Sequence, residues 1–167
     1  MCGEIKAYQT ATDVAIRVTA AGVNKINLPQ IQRVDEIRLD GFFITGFNGA
    51  VSASAYLQIS GMSGMREATI NSNNKPGCLI AVDVNNPHVI FSRPRVLATG
   101  SATTVNNFDI NLVMPSGANA SFTEACFFIT FVCRKSPEEM SEYRQLMAQV
   151  ELPQMKGPDP RNSFQPL

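Results

Sequence analysis

A single histidine, His88, stands in the run Asn85-Asn86-Pro87-His88-Val89. Acid–base catalysis and metal ligation both favour imidazole, but a catalytic metal needs several ligands and a general base needs an orienting partner. A lone histidine beside a strand reads as structural. Four cysteines are present, Cys2, Cys78, Cys126 and Cys133, and none forms a CxxC pair. Cys126 and Cys133 fall in one strand-like run. At roughly 3.3 Å per residue they stand about 23 Å apart on opposite faces, so they neither bridge nor share a metal. They read as buried thiols acting as small apolar groups. Gly61-Met62-Ser63-Gly64 places a serine between glycines without the spacing of a nucleophile elbow, and reads as a turn. No HExxH, phosphate loop or GxGxxG occurs, and no acidic run resembles a calcium loop. The adjacent pairs Asp35-Glu36 and Glu138-Glu139 point their carboxylates in different directions, so two-carboxylate hydrolysis has no local support. Arg93-Pro94-Arg95 is the densest basic spot, a place to meet phosphate or a partner's carboxylates, although such arginines are ordinarily solvated. Asn119-Ala120-Ser121 matches a glycosylation acceptor and reads as chance. The expectation is a non-enzymatic chain with no cofactor and no metal.

Composition narrows the classes further. The 167 residues are 44% hydrophobic, enough for a core without disulfide or metal staples. Fourteen Lys and Arg balance fourteen Asp and Glu, and 17% of residues are charged, against a typical quarter or so. So little charge hints that much of the surface faces other protein. The balance also argues against nucleic-acid affinity through a basic footprint. The stretch MCGEIKAYQTATDVAIRV has no apolar signal-peptide core, and no run approaches 18 uninterrupted apolar residues, so no membrane span is expected. Synthesis in a reducing cytosol follows as the expectation.

The elements that must position any site are strands. Val14, Ile16 and Val18 alternate with Ala15, Arg17 and Thr19. Ala53, Ala55, Leu57 and Ile59 alternate with Ser54, Tyr56 and Gln58. Phe108, Ile110, Leu112 and Met114 alternate with Asp109, Asn111 and Val113. Each pattern predicts a strand with one buried face. Shorter candidates are Lys25–Leu28, Asp35–Thr45, Cys78–Val84, His88–Phe91 and Arg95–Ala98. Gly, Asn, Ser and Pro break the chain at 61–64, 71–77, 85–87, near 100–104 and at 115–117. About eight strands at this spacing predict a sandwich or barrel. In the run Thr123–Arg134 both faces are apolar, Ala125, Phe127, Ile129, Phe131 and Cys133 on one, Cys126, Phe128 and Val132 on the other. An antiparallel strand often keeps one face wet, so this one is covered by the chain's own helix or loops, or by a partner subunit.

After Lys135 the character changes. Ser136-Pro137-Glu138-Glu139 predicts a helix start, with Ser136 as cap and Glu139 closing a capping box. Met140, Tyr143, Met147 and Val150 recur at helical spacing to about residue 149. The tail Glu151–Leu167 carries Pro153, Pro158, Pro160 and Pro166 and cannot continue a helix. With Leu152, Met155, Phe164 and Leu167 it reads as an arm lying on a surface, a neighbouring subunit's ahead of its own domain's. The organisation expected is a β-sandwich over 1–135, an amphipathic helix over 136–150 and an extended proline-rich arm over 151–167.

The segments Cys78–Val84, Phe91-Ser92-Arg93-Pro94-Arg95, Phe108–Gly117 and Phe127–Val132, in that order, resemble the second half of single jelly-roll coat proteins. These are the vertex (penton) or minor capsid components of icosahedral double-stranded DNA viruses. The resemblance spans residues 35–134 and rests on an alternating strand, a Pro/Gly turn and a strongly apolar last strand. It implies an all-β, antiparallel jelly-roll sandwich with a short C-terminal helix and an extended arm. It also implies a structural role in the virion after synthesis in the host cytoplasm, assembly as pentamers or trimers, and contacts with its own copies and other capsid proteins. The interface would draw on Phe127, Phe128, Ile129 and Phe131, on Met140, Tyr143 and Met147, and on Leu152, Met155, Phe164 and Leu167. The chain departs from many RNA-virus coats in lacking a basic N-terminal arm. Two rival readings stand beside this one. One is a receptor- or glycan-binding head using the loops near 61–77 and 99–106. The other is a cupin-like enzyme, which one histidine disfavours.

Overall fold

Alternating sequences become strands because every second side chain can leave water together. The computed structural model describes residues 6–47, 52–67 and 77–151. Seven strands are present among them: β1 (Gln9–Val18), β2 (Asn24–Thr45), β3 (Ser52–Ser60), β4 (Arg66–Glu67), β5 (Cys78–Asp83), β6 (His88–Val113) and β7 (Glu124–Arg134). All pairings are antiparallel, in the order β1-β7-β2-β6-β3-β5, with β4 on β6. The chain forms two compact units, residues 1–134 and 135–167.

Two long strands make this one sheet into a sandwich. The first part of β2, Asn24–Ile31, pairs with Val105–Ile110 of β6. Its second part, Val34–Thr45, pairs with β7 as well as with the start of β6. Between the two parts the register shifts, and Arg33 in β2 and Ala102 in β6 take positive φ values of 59° and 51°. Val34 pairs with Thr103, so the two bends face each other. Asp35 holds them. Its Oδ1 accepts the Ala102 backbone N–H at 2.9 Å, and its carboxylate accepts Arg134 Nη2 at 3.0 Å and Nε at 3.2 Å.

Counted as segments, the halves give β1-β7-β2-β6 in one layer and β2-β6-β3-β5 in the other. Eight segments in this order are those of a jelly roll. The layers share one core. Ile16, Leu39, Phe42, Phe127 and Phe131 come from the first, and Leu57, Ile80, Phe108 and Ile110 from the second. Phe108 and Phe131 meet across it with ring centroids 6.3 Å apart.

The strands expected separately at Lys25–Leu28 and Asp35–Thr45 are therefore one. So are those at His88–Phe91, Arg95–Ala98 and Phe108–Met114. The stretch near Gly100 reads as a break, but it marks a bend inside a continuous strand, and the register of β2 likewise shifts around Pro29 without ending the strand. In the second unit, helix α1 (Pro137–Glu151) opens with the expected box. The Glu139 N–H donates to Ser136 Oγ at 3.1 Å, and the Ser136 N–H donates to Glu139 Oε2. The tail 152–167, and with it the arm, lies outside the described residues.

Candidate interaction surface

The outward face of the β1-β7-β2-β6 layer carries two unlike zones. A bulge creates one of them. Leu39 pairs with Ile129, but Gly41 pairs with Phe128, which leaves Asp40 as an extra residue. The phase then reverses, so Leu39 and Phe42 both face the core while Arg38, Gly41 and Phe43 face out.

In register, Ala15, Phe128, Gly41 and Ile90 form one row across the four strands. Arg17, Cys126, Phe43 and His88 form the next. Ile90 is 60% exposed. Its side chain lies on Gly41, where an added Cβ would stand 2.7 Å from Ile90 Cδ1 and 2.4 Å from the Val89 carbonyl oxygen. No larger residue fits there without parting β2 from β6. His88 meets Phe128 edge-on with centroids 5.9 Å apart. An apolar ridge with a large exposed aliphatic group is the informative kind of exposure.

The neighbouring zone is polar and closed. Thr130 is 8% exposed, and its Oγ1 lies 2.7 Å from Asp13 Oδ1 and also contacts Asp40 Oδ2. One hydroxyl proton thus faces two carboxylate acceptors. Arg38, also 8% exposed, donates from Nε to Glu36 Oε1 at 2.6 Å. Two-carboxylate chemistry between Asp35 and Glu36 finds no support here, because Asp35 holds Arg134 and Glu36 holds Arg38.

The last strand splits the expected interface. Phe127, Ile129 and Phe131 are at most 1% exposed and sit in the chain's own core. Their alternation with Phe128 makes this unavoidable, since β7 lies between β1 and β2 and turns one face inward. Phe128 alone is half-buried on the outer face. In α1, Met140 and Tyr143 are half-buried and Met147 is 43% exposed. Leu152, Met155, Phe164 and Leu167 lie outside the described residues.

Other residues singled out by the sequence take structural places. Arg95 donates from Nη1 to the Leu79 carbonyl at 2.8 Å and lies 4.6 Å from the Phe91 ring centroid, so it serves its own fold. Asn119 Oδ1 accepts Asn111 Nδ2 at 3.1 Å. Cys133 is buried and Cys126 half-buried on the opposite face of β7. Burial pushes the thiols of Cys78 and Cys133 up; for Cys126 burial leads, with Glu124 adding and Arg17 opposing. The stretch 99–106, expected as a loop, lies within β6, and 68–76 is outside the described residues. Among the described residues no group of three or more His, Cys, Asp or Glu is placed to hold a metal. No helix there is long and apolar enough to cross a membrane.

The contribution of Ile90 and Gly41 to this surface escapes sequence reading, because strand pairing alone sets them beside Phe128. Comparison with known protein families, with characterised proteins and with solved structures finds no match for this chain.

Proposed function

We propose that this protein is a structural virion component, a coat subunit that assembles with copies of itself and with neighbouring coat proteins. The observation that carries the reading is the apolar row Ala15–Phe128–Gly41–Ile90 on the outside of a jelly-roll layer. The strand order is that of a jelly roll, the fold that the resemblance of residues 35–134 implies. The low charge, 17% of residues, agrees with a surface that meets protein. Assembly needs no chemistry at the site. Burying the row against a second copy removes apolar surface from water at about 25 cal/mol per Å², and symmetry repeats the contact around a ring. The tail beyond α1, residues 152–167, would add contacts whose ordering cost is met on binding.

The test is a pair of variants followed by sedimentation. Ile90→Glu places a charge in the row without touching the core. Removal of residues 152–167 takes the tail beyond α1 alone. The expected outcome for each is a folded chain, unchanged in circular dichroism, that assembles poorly. Normal assembly by the Ile90→Glu protein rejects the row as the interface, and normal assembly by the truncated chain rejects the arm.

A further inference from the structure

The outward face of the other layer is different in kind. Between the first part of β2 and the end of β6 lies a half-open cavity of about 320 Å³ lined by Lys25, Asn27, Gly61, Asn107 and Asp109, with Ile26 and Phe108 beneath. The register builds it. Lys25 pairs with Asp109 and Asn27 with Asn107, so four polar side chains rise from two adjacent strands in two successive rows. Phe108 is 3% exposed and turned to the core, so the floor is largely backbone. Gly61, with φ 81°, forms the rim just after β3. A Cβ there would stand 3.6 Å from Asp109 Oδ2, and its absence leaves that carboxylate open.

The polar groups are uncommitted. Beyond the backbone ladder, the side chains of Lys25, Asn27, Asn107 and Asp109 make no ion pair or hydrogen bond with another described residue, although Lys25 and Asp109 are cross-strand partners of opposite charge. The set contains one obligate donor, one obligate acceptor and two amides that do both. Its net charge is zero. A phosphate would face Asp109 and a cation would face Lys25. An apolar ligand would find a lining in which polar side chains outnumber Ile26 and Phe108. A ring of neighbouring hydroxyls suits all four, since each hydroxyl donates and accepts. The volume is at the small end of ligand pockets, enough for one or two sugar rings. The same outward face continues with Ser60, Gln58 and Asn111 at the next register positions, a polar track along which a longer chain of sugars can lie.

We infer that this cavity is a saccharide site, taking one or two neutral sugar residues through Lys25, Asn27, Asn107 and Asp109. The inference does not rest on the assembly reading. A coat subunit or a free-standing domain could each carry it, and the site lies on the layer opposite the apolar row.

The experiment titrates the full ¹⁵N-labelled chain with D-glucose, D-galactose, D-mannose and N-acetyl-D-glucosamine, one at a time, with alanine as a zwitterionic control. The expected result is saturable shifts for at least one sugar, centred on Lys25, Asn27, Gly61, Asn107 and Asp109, with half-saturation at about millimolar for a ligand this small. Asn27→Ala and Asn107→Ala, both at exposed positions, should keep the spectrum of a folded chain and weaken that binding at least tenfold. Arg93→Ala should leave it unchanged. Saturation by alanine but by no sugar overturns the ligand class. Linear, scattered shifts for every sugar, or binding that survives both amide variants, overturns the site.

Discussion

The Phe108–Phe131 contact is the place to test whether one bent sheet closes on itself. The rings belong to opposite layers, both are buried, and their centroids lie 6.3 Å apart. Truncation of either to alanine would cost about 3–5 kcal/mol. Both together would approach the whole stability of an ordinary domain, about 5–15 kcal/mol. Leucine is the better perturbation. It removes three side-chain carbons, which at about 0.8 kcal/mol each gives roughly 2 kcal/mol per substitution. Tilted aromatic pairs add about 0.5–1.5 kcal/mol beyond burial. Urea unfolding of the wild type, Phe108→Leu, Phe131→Leu and the double variant closes the cycle, with an unchanged slope as the sign that the native state is intact. The double variant should lose less than the sum of the singles by that coupling energy. Additivity to within about 0.3 kcal/mol is the behaviour of distant sites, and it would mean that the layers do not pack where the rings meet.

Three further outcomes follow from the bends, the closed polar zone and the buried thiols. Ala102 holds φ at 51° in the β6 bend, a conformation costing an L-residue about 1–2 kcal/mol. Ala102→Gly should raise stability by about 0.5–1 kcal/mol and the melting temperature by roughly 1–4 °C; a lower melting temperature would show that the bend is not strained. Thr130→Val keeps the shape but removes the hydroxyl held by Asp13 and Asp40, and should cost about 1–3 kcal/mol in urea unfolding. A neutral result would place that hydroxyl in water. Burial raises the thiols of Cys78 and Cys133. Both states keep the proton below the unfolded value, and above about pH 9 the unfolded chain alone releases it, so stability should fall as pH rises further. A melting curve against pH should steepen there for the wild type and flatten in the Cys78→Ala, Cys133→Ala variant. Identical slopes would contradict the burial.

The parts legible in the sequence were those where a single strand face decides the pattern. Val14–Val18 and Phe108–Met114 alternate because one face of each is buried, and Thr123–Arg134 shows the apolar outer face that carries Phe128 as a doubly apolar run. The continuity of β2 and β6 was hidden by residues that bend a strand without ending it. Pro29 and Gly100 are ordinary breakers, and the Asp40 bulge reverses the phase so that no clean alternation runs through Asp35–Thr45. The interaction surface was half visible. Phe128 stands out in its strand, but Gly41 and Ile90 gain meaning only when pairing sets them in its row. The polar cavity was invisible for the same reason, since Asn27 and Asn107 stand about eighty residues apart and meet only in register. Capping at Ser136 was legible because it is local, needing only residues three apart.

The most direct measurement is the native mass of the purified full chain, by light scattering across a concentration series reaching the highest soluble concentration. Assembly through the row Ala15–Phe128–Gly41–Ile90 predicts a closed multiple of the 18.2 kDa chain, a trimer or a pentamer. A chain that stays monomeric at every concentration would contradict the account.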